Sequence, residues 1–229
     1  MPLKRQPCNF PPPKATRHNA PQRPEVATKL CRGSLQGENG IHEVSVLVLL
    51  PPEAADDSRA ERGAVLTMAA AIARTFPLYS RKGGRTEEGG SQDISVAFEH
   101  ASGTPVTNTD TLNLAGFAAD GVRKAAALVD MPCNELHCTA YAERAHAVAK
   151  SLPGVEIEEI VGEELQQRGF GGIYGVGKAA VEPPRLIILK HRPPGATRTV
   201  AWCGKGIVYD TGGLSIKGKT AMPGRRALF

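Results

Sequence analysis

The stretch "YDTGGLSIKGKT", Tyr209 to Thr220, admits two chemistries and with them two folds. Gly213 to Thr220 satisfies G-x-x-x-x-G-K-[ST], the loop that cradles phosphates between a strand and a helix. Lys205, Asp210 and Lys217 are instead what a metal site built from an amine and a carboxylate would need. A phosphate loop works because a helix starts at its GK[ST], aiming free backbone N–H groups and a positive dipole end at the phosphates. Here Thr220 is followed by "AMPGRRALF", with Pro223 and Gly224 almost at once, and no stable helix is expected. Nor do these residues offer a later strand with an aspartate for magnesium. Nucleotide binding at Gly213–Thr220 is thus the lesser alternative, and the metal reading accommodates more side chains.

Working upstream, "RTVAWCGKGIVYD" (Arg198–Asp210) predicts a strand that puts Asp210 at its carboxyl end, where open α/β sheets gather functional groups. Gly212-Gly213 lets the chain turn sharply there. Lys205 could ligate a metal only as a neutral amine, its pKa drawn down by burial and by the cation. Lys217 would stay charged and stabilise oxyanion charge in a tetrahedral intermediate. Two divalent ions between such groups would activate a water and polarise a carbonyl. Spacing alone does not decide this, since a lysine near a strand is usually just solvated. Further back, "RGFGGIYGVGKAA" (Arg168–Ala180) has the glycines of a dinucleotide loop. That loop needs a strand before it and a helix after. A helix precedes, and Pro183-Pro184 blocks one after, so a tight loop is expected.

The remaining elements alternate. "IHEVSVLVLLPP" (Ile41–Pro52) reads as a buried strand, Val65, Met68, Ala69, Ile72 and Phe76 as a helix face, and "DISVAFEH" (Asp93–His100) as a half-buried strand. Leu114, Phe117, Gly121, Ala125 and Leu128 mark a second helix face, with Asp120 and Lys124 spaced as an i,i+4 pair. Pro132 ends that helix. A third opens with Thr139 as N-cap and buries Tyr141, Ala145, Val148 and Leu152. Strands "VEIEEIV" (Val155–Val161) and "RLIILKH" (Arg185–His191) flank a short helix at Glu163–Arg168. Such alternation implies an α/β protein with a mixed, mostly parallel sheet covered on both faces. The expected organisation is a leader at 1–33, an α/β domain at 34–110, a linking helix at 111–131 and a second domain from 132.

The net charge of +5 is located in the leader, whose seven basic residues against Glu25 make it +6 and leave the body near −1. With seven of the eighteen prolines as well, most of residues 1–33 should be disordered. Aromatics do not interleave its charges, so a solvated leader is preferred to a nucleic-acid contact. No nucleic-acid or membrane partner is expected: no apolar run approaches the ~18 residues of a span, and none near the start makes the h-region of a secretory signal. Five cysteines without a CxxC pair argue for reduced thiols and a cytoplasmic protein. Cys133, His137 and Cys138 lack a second cluster to complete four zinc ligands.

Taken together, "GKGIVYDTGGLSIKGKT" (Gly204–Thr220), "DGVRKAAALVDMPCNE" (Asp120–Glu135) and "RGFGGIYGVGKAAVEPPRLIILKH" (Arg168–His191) resemble, in order, blocks of the leucine (cytosol) aminopeptidase family. "SIKGKT", and "KATRHNAPQRP" (Lys14–Pro24), look like its aminopeptidase-like branch. The resemblance implies a macro-like N-terminal domain, a linking helix and the start of a catalytic domain that removes N-terminal residues from peptides. It implies two divalent ions, zinc or manganese, and hexameric assembly. Lys205 and Asp210 match two metal ligands, and Lys217 the catalytic lysine. The family's next aspartate ligand would fall at Leu228, where "RRALF" stands instead. Two ligands cannot hold two hydrated divalent ions, so this polypeptide is expected to be a truncated, inactive form. The alternative is a non-catalytic module that joins or interferes with a full-length oligomer.

Overall fold

The computed structural model describes residues 27–31, 43–76, 78–79 and 93–208. The chain divides into two compact units, Met1–Ala127 and Leu128–Phe229. It is an α/β protein.

In the first unit, strand β1 (Glu43–Leu49) leads through a 3-10 turn (Pro52–Ala54) into helix α1 (Ser58–Ala73), then strand β2 (Asp93–Glu99). A helical crossover is what two parallel strands require. β1 and β2 pair in parallel, Glu43 opposite Asp93 through Leu49 opposite Glu99. Asp57 caps α1, its carboxylate accepting from the Arg59 N–H at 2.8 Å. The face read from the sequence is the one that packs: Val65, Ala69 and Ile72 are buried, and Val65 joins Leu50, Ala54, Phe98, Val106 and Ala115 in one core. Burying a side chain such as Val65 contributes about 1.5–3 kcal/mol. β1 is not buried on both faces as expected: Leu47 and Leu49 face outward. Within the leader, residues 27–31 form a helical turn, and Thr28 Oγ1 donates to Ala71 O on α1 at 2.9 Å.

Helix α2 (Thr109–Asp130) starts at Asn108, whose side-chain oxygen accepts from the Thr111 N–H at 3.0 Å. Its buried residues are Thr111 and Ala115, not the Leu114–Phe117 stripe expected to pack. Leu112 packs against the core beside them, whereas Leu114 and Phe117 point away, Phe117 being 76% exposed.

In the second unit, helix α3 (Cys138–Ser151) precedes strand β3 (Val155–Val161), the short helices α4 (Glu163–Gln167) and α5 (Gly171–Gly177), and strand β4 (Arg185–His191). β3 and β4 pair antiparallel, Val155 opposite His191 through Val161 opposite Arg185. The described strands thus form two separate two-stranded sheets, one parallel and one antiparallel. The N-cap of α3 is His137, whose Nδ1 accepts from the Ala140 N–H at 3.4 Å; Thr139 lies inside the helix. Ala142 and Ala149 are its buried residues, while Tyr141, Val148 and Leu152 are exposed. The glycine-dense segment is not a loop: after a turn at Gly169, with φ of 87°, it forms α5. Pro183-Pro184 lies beyond that helix and directly before β4, so it bars nothing. A Cβ added at Gly177 would sit 2.4 Å from Pro184 Cβ, the close approach that this glycine permits.

Candidate functional site

Lys205 lies in an exposed stretch, residues 198–208, that has no regular secondary structure. A strand needs a neighbour to complete its hydrogen bonds, and among the described residues none pairs with this segment. The expected strand at Arg198–Asp210 is therefore corrected over its described part, and Trp202 within it is 94% exposed. Asp210 and Lys217, and the loop Gly213–Thr220, fall outside the described residues. The structure thus describes one of the three candidate residues, Lys205. Among the described residues no three His, Cys, Asp or Glu side chains converge on a possible metal position. These described side chains by themselves do not make a metal centre. Cys138 opens α3 with a thiol pKa pushed up by burial, which disfavours the thiolate needed for reactivity or ligation.

The polar chemistry of the second unit is concentrated elsewhere. Glu158 and Glu159 are adjacent on β3, so their side chains leave opposite faces of the strand. Glu158 accepts from Lys190 Nζ of β4 at 2.6 Å and from Arg168 Nη2, just past α4, at 2.7 Å. Lys190 sits opposite Glu156, so this is a diagonal cross-strand pair. The Lys190 and Arg168 hydrogen bonds hold the Glu158 carboxyl down at about 2, against an ordinary 4.5. On the other face, Arg185 Nη1 donates to Glu159 at 2.5 Å and Nη2 to Thr139 Oγ1 at 3.0 Å. His146 of α3 meets Glu159 at 2.8 Å, and Thr139 donates to Glu182. The Arg185 hydrogen bond, then that of His146, lowers the Glu159 pKa. Each glutamate therefore ties a helical segment to its own face of the strand pair. The arrangement fixes geometry; Glu158 is held by Lys190 and Arg168 and Glu159 by Arg185, so neither is poised as a base. The identification of Glu158 and Glu159 requires the strand register, which periodicity does not supply. Alternating acids on "VEIEEIV" and bases at both ends of "RLIILKH" were the available signal.

Comparison with known proteins supplies what this geometry leaves open. Residues 123–227 match the cytosol aminopeptidase family catalytic domain, and residues 11–85 match the M17 aminopeptidase N-terminal domain 2. A human protein named "Probable aminopeptidase NPEPL1" is 45% identical over 217 residues, spanning 94% of this chain and 39% of its own length. The structure of Caenorhabditis elegans leucine aminopeptidase superposes with a TM-score of 0.73 at 34% identity, over 94% of this chain and 40% of that one. An M17 aminopeptidase from Trypanosoma brucei gives 0.73 at 36% identity, over 94% and 39%. The chain thus spans about two fifths of the length of these relatives. With both matched regions in the order read from the sequence, the chain belongs to the cytosol aminopeptidase family.

Proposed function

We propose that these residues form the N-terminal part of a metal-dependent aminopeptidase that releases N-terminal residues from peptides. In this reading Lys205 and Asp210 are the metal ligands this polypeptide contributes to a two-ion site, zinc or manganese, and Lys217 is its catalytic lysine. One observation carries it: the catalytic-domain match, 123–227, runs through all three residues. Residues 34–110 are the N-terminal domain, 111–131 the linking helix and 132–229 the beginning of the catalytic domain, working in the cytoplasm as a hexamer. Two ligands are too few to bind two divalent ions, which need several carboxylates to offset their charge. The 229-residue polypeptide by itself is therefore inactive.

The test is a fusion of this chain to the stretch that follows the matched region in the human relative, with folding checked by circular dichroism. It should hydrolyse leucine anilides in the presence of manganese or zinc, and Lys205→Ala or Lys217→Ala should abolish this. A folded, inactive fusion, or activity that survives both substitutions, refutes the assignment.

The second reading, an interaction module acting on a longer relative's oligomer, is favoured by exposed apolar side chains in the second unit, with Val181 at 99% and Trp202 at 94%. Co-purification with a full-length relative, without peptidase activity of its own, separates it from the first.

A further inference from the structure

Independently of the peptidase reading, the end of helix α1 is held by two segments distant from it in sequence. The Thr75 N–H turns in to Ile72 O at 2.9 Å, so the Ala71 carbonyl loses the partner that a continued helix would give it. Two hydroxyls serve it instead: Thr28 Oγ1 donates at 2.9 Å and Thr75 Oγ1 at 3.3 Å. Just beyond, Phe76 O accepts from Arg123 Nε of α2 at 3.3 Å. Ala71, Ala73 and Thr75 are buried, yet none belongs to the core cluster that Val65 and Ala69 join. The two outside holds differ in kind. Arg123 belongs to a 22-residue helix that buries Thr111 and Ala115. Thr28 belongs to a helical turn of five residues, 27–31, far shorter than a helix that stands alone in water. Such a turn keeps its shape only while it is docked.

We propose that residues 27–31 are a strap, latched by the Thr28 hydroxyl, that closes over the last turn of α1 and opens while the rest of the first unit stays folded. This part of the leader is then a working piece of the domain rather than a solvated passenger. Opening leaves Ala71 O on the Thr75 hydroxyl, so the carbonyl keeps a donor and the helix end survives the release. That is what a reversible latch requires: one neutral hydrogen bond to give up, and a second donor already in place. A single such bond sets the ratio of open to closed by a factor of about five. Lys29 follows Thr28 and is exposed. A protease needs a locally opened segment around the bond that it cuts, so the backbone at Lys29 becomes a substrate only when the strap lifts. The strap therefore sets how fast the leader is clipped from the first unit.

Limited trypsin digestion of the folded 229-residue chain, with each cut mapped by mass spectrometry and each variant checked by circular dichroism, tests this. The bond after Lys29 should be cut about fivefold faster in Thr28→Val, which keeps the side-chain shape and removes the donor. Thr28→Ser, which keeps the donor, should match the parent. Thr75→Val takes the other hydroxyl from the same carbonyl and leaves Thr28 as its partner, so the rate at Lys29 should not rise. A Lys29 bond cut equally fast in Thr28→Val and the parent overturns the proposal, as does a rate that Thr75→Val raises as much as Thr28→Val. Equal acceleration in Thr28→Val of the cuts at Arg62 and Arg74 of α1 and its cap also overturns it, since the whole unit would then be opening.

Discussion

Two glycines of α5, two residues apart, should respond to the same substitution with opposite signs. Gly175→Ala adds a methyl where nothing lies within 4 Å. It also replaces the poorest helix former short of proline with the best, a gain of about 0.5–1 kcal/mol. Gly177→Ala carries the same methyl to 2.4 Å from Pro184 Cβ, 2.9 Å from Cγ and 3.3 Å from Cδ. Carbon atoms rest at about 3.5–4.0 Å, so the ring or the helix end must move. The ring cannot swing away as a long side chain would. Pro184 is buried, accepts the Gly162 N–H at 2.9 Å and leads directly into β4, so its displacement disturbs the strand pair. Overpacking of this kind costs about 1–3 kcal/mol, which exceeds the helical gain. Urea unfolding followed by far-ultraviolet circular dichroism should place Gly175→Ala above the parent and Gly177→Ala below it. Equal stability of the two variants, or a more stable Gly177→Ala, would refute the packing of α5 against Pro184.

Other consequences are measurable on the same protein. The Glu158 carboxyl sits at about 2 rather than 4.5, so the native state binds fewer protons than the unfolded chain between those values. The stabilisation is fully present above pH 4.5 and is lost as pH falls toward 2. Glu158→Gln should therefore unfold more readily than the parent at neutral pH, and the two curves should converge in acid; a constant gap across the titration argues against the ion pairs. Cys203 is exposed while burial raises the Cys138 thiol. Iodoacetamide followed by peptide mapping should label Cys203 well before Cys138, and the reverse order contradicts the packing of α3. Trp202, the chain's single tryptophan, should emit as a solvated indole and be quenched freely by acrylamide. A blue-shifted, protected emission from the monomer would mean that residues 198–208 are packed.

Those elements whose sequence carried both a period and a terminator were legible. β1 was legible as a β-branched run ended by prolines and β2 by its alternation, each within a few residues, and α1 by the 65–69–72 spacing, which coincides with real burial. Periodicity identified the stripe of α2 but not its partner: the stripe was assigned to the core, whereas Thr111 and Ala115 do that packing. At α3 the same shift occurred by one position, because alanines at 142 and 149 pack more closely than the larger neighbours would allow. The glycines of α5 resemble a loop until Pro184 is seen against Gly177. For residues 198–208 the apolar pattern of a strand is present, but pairing is a property of neighbours, and no described strand lies beside them. Of the site, the sequence and its family resemblance named Lys205, Asp210 and Lys217; the structure describes Lys205 alone. The Glu158 and Glu159 clamps were invisible beforehand because they depend on register and on side chains distant in sequence.

The most direct measurement is bound metal and peptidase rate on the purified 229-residue polypeptide after incubation with manganese or zinc. Removal of free ion and elemental analysis should find no pair of retained ions, and leucine anilide should remain uncleaved. Two tightly held ions per chain, together with release of N-terminal residues from peptides, would contradict the view that Lys205, Asp210 and Lys217 are only part of the centre.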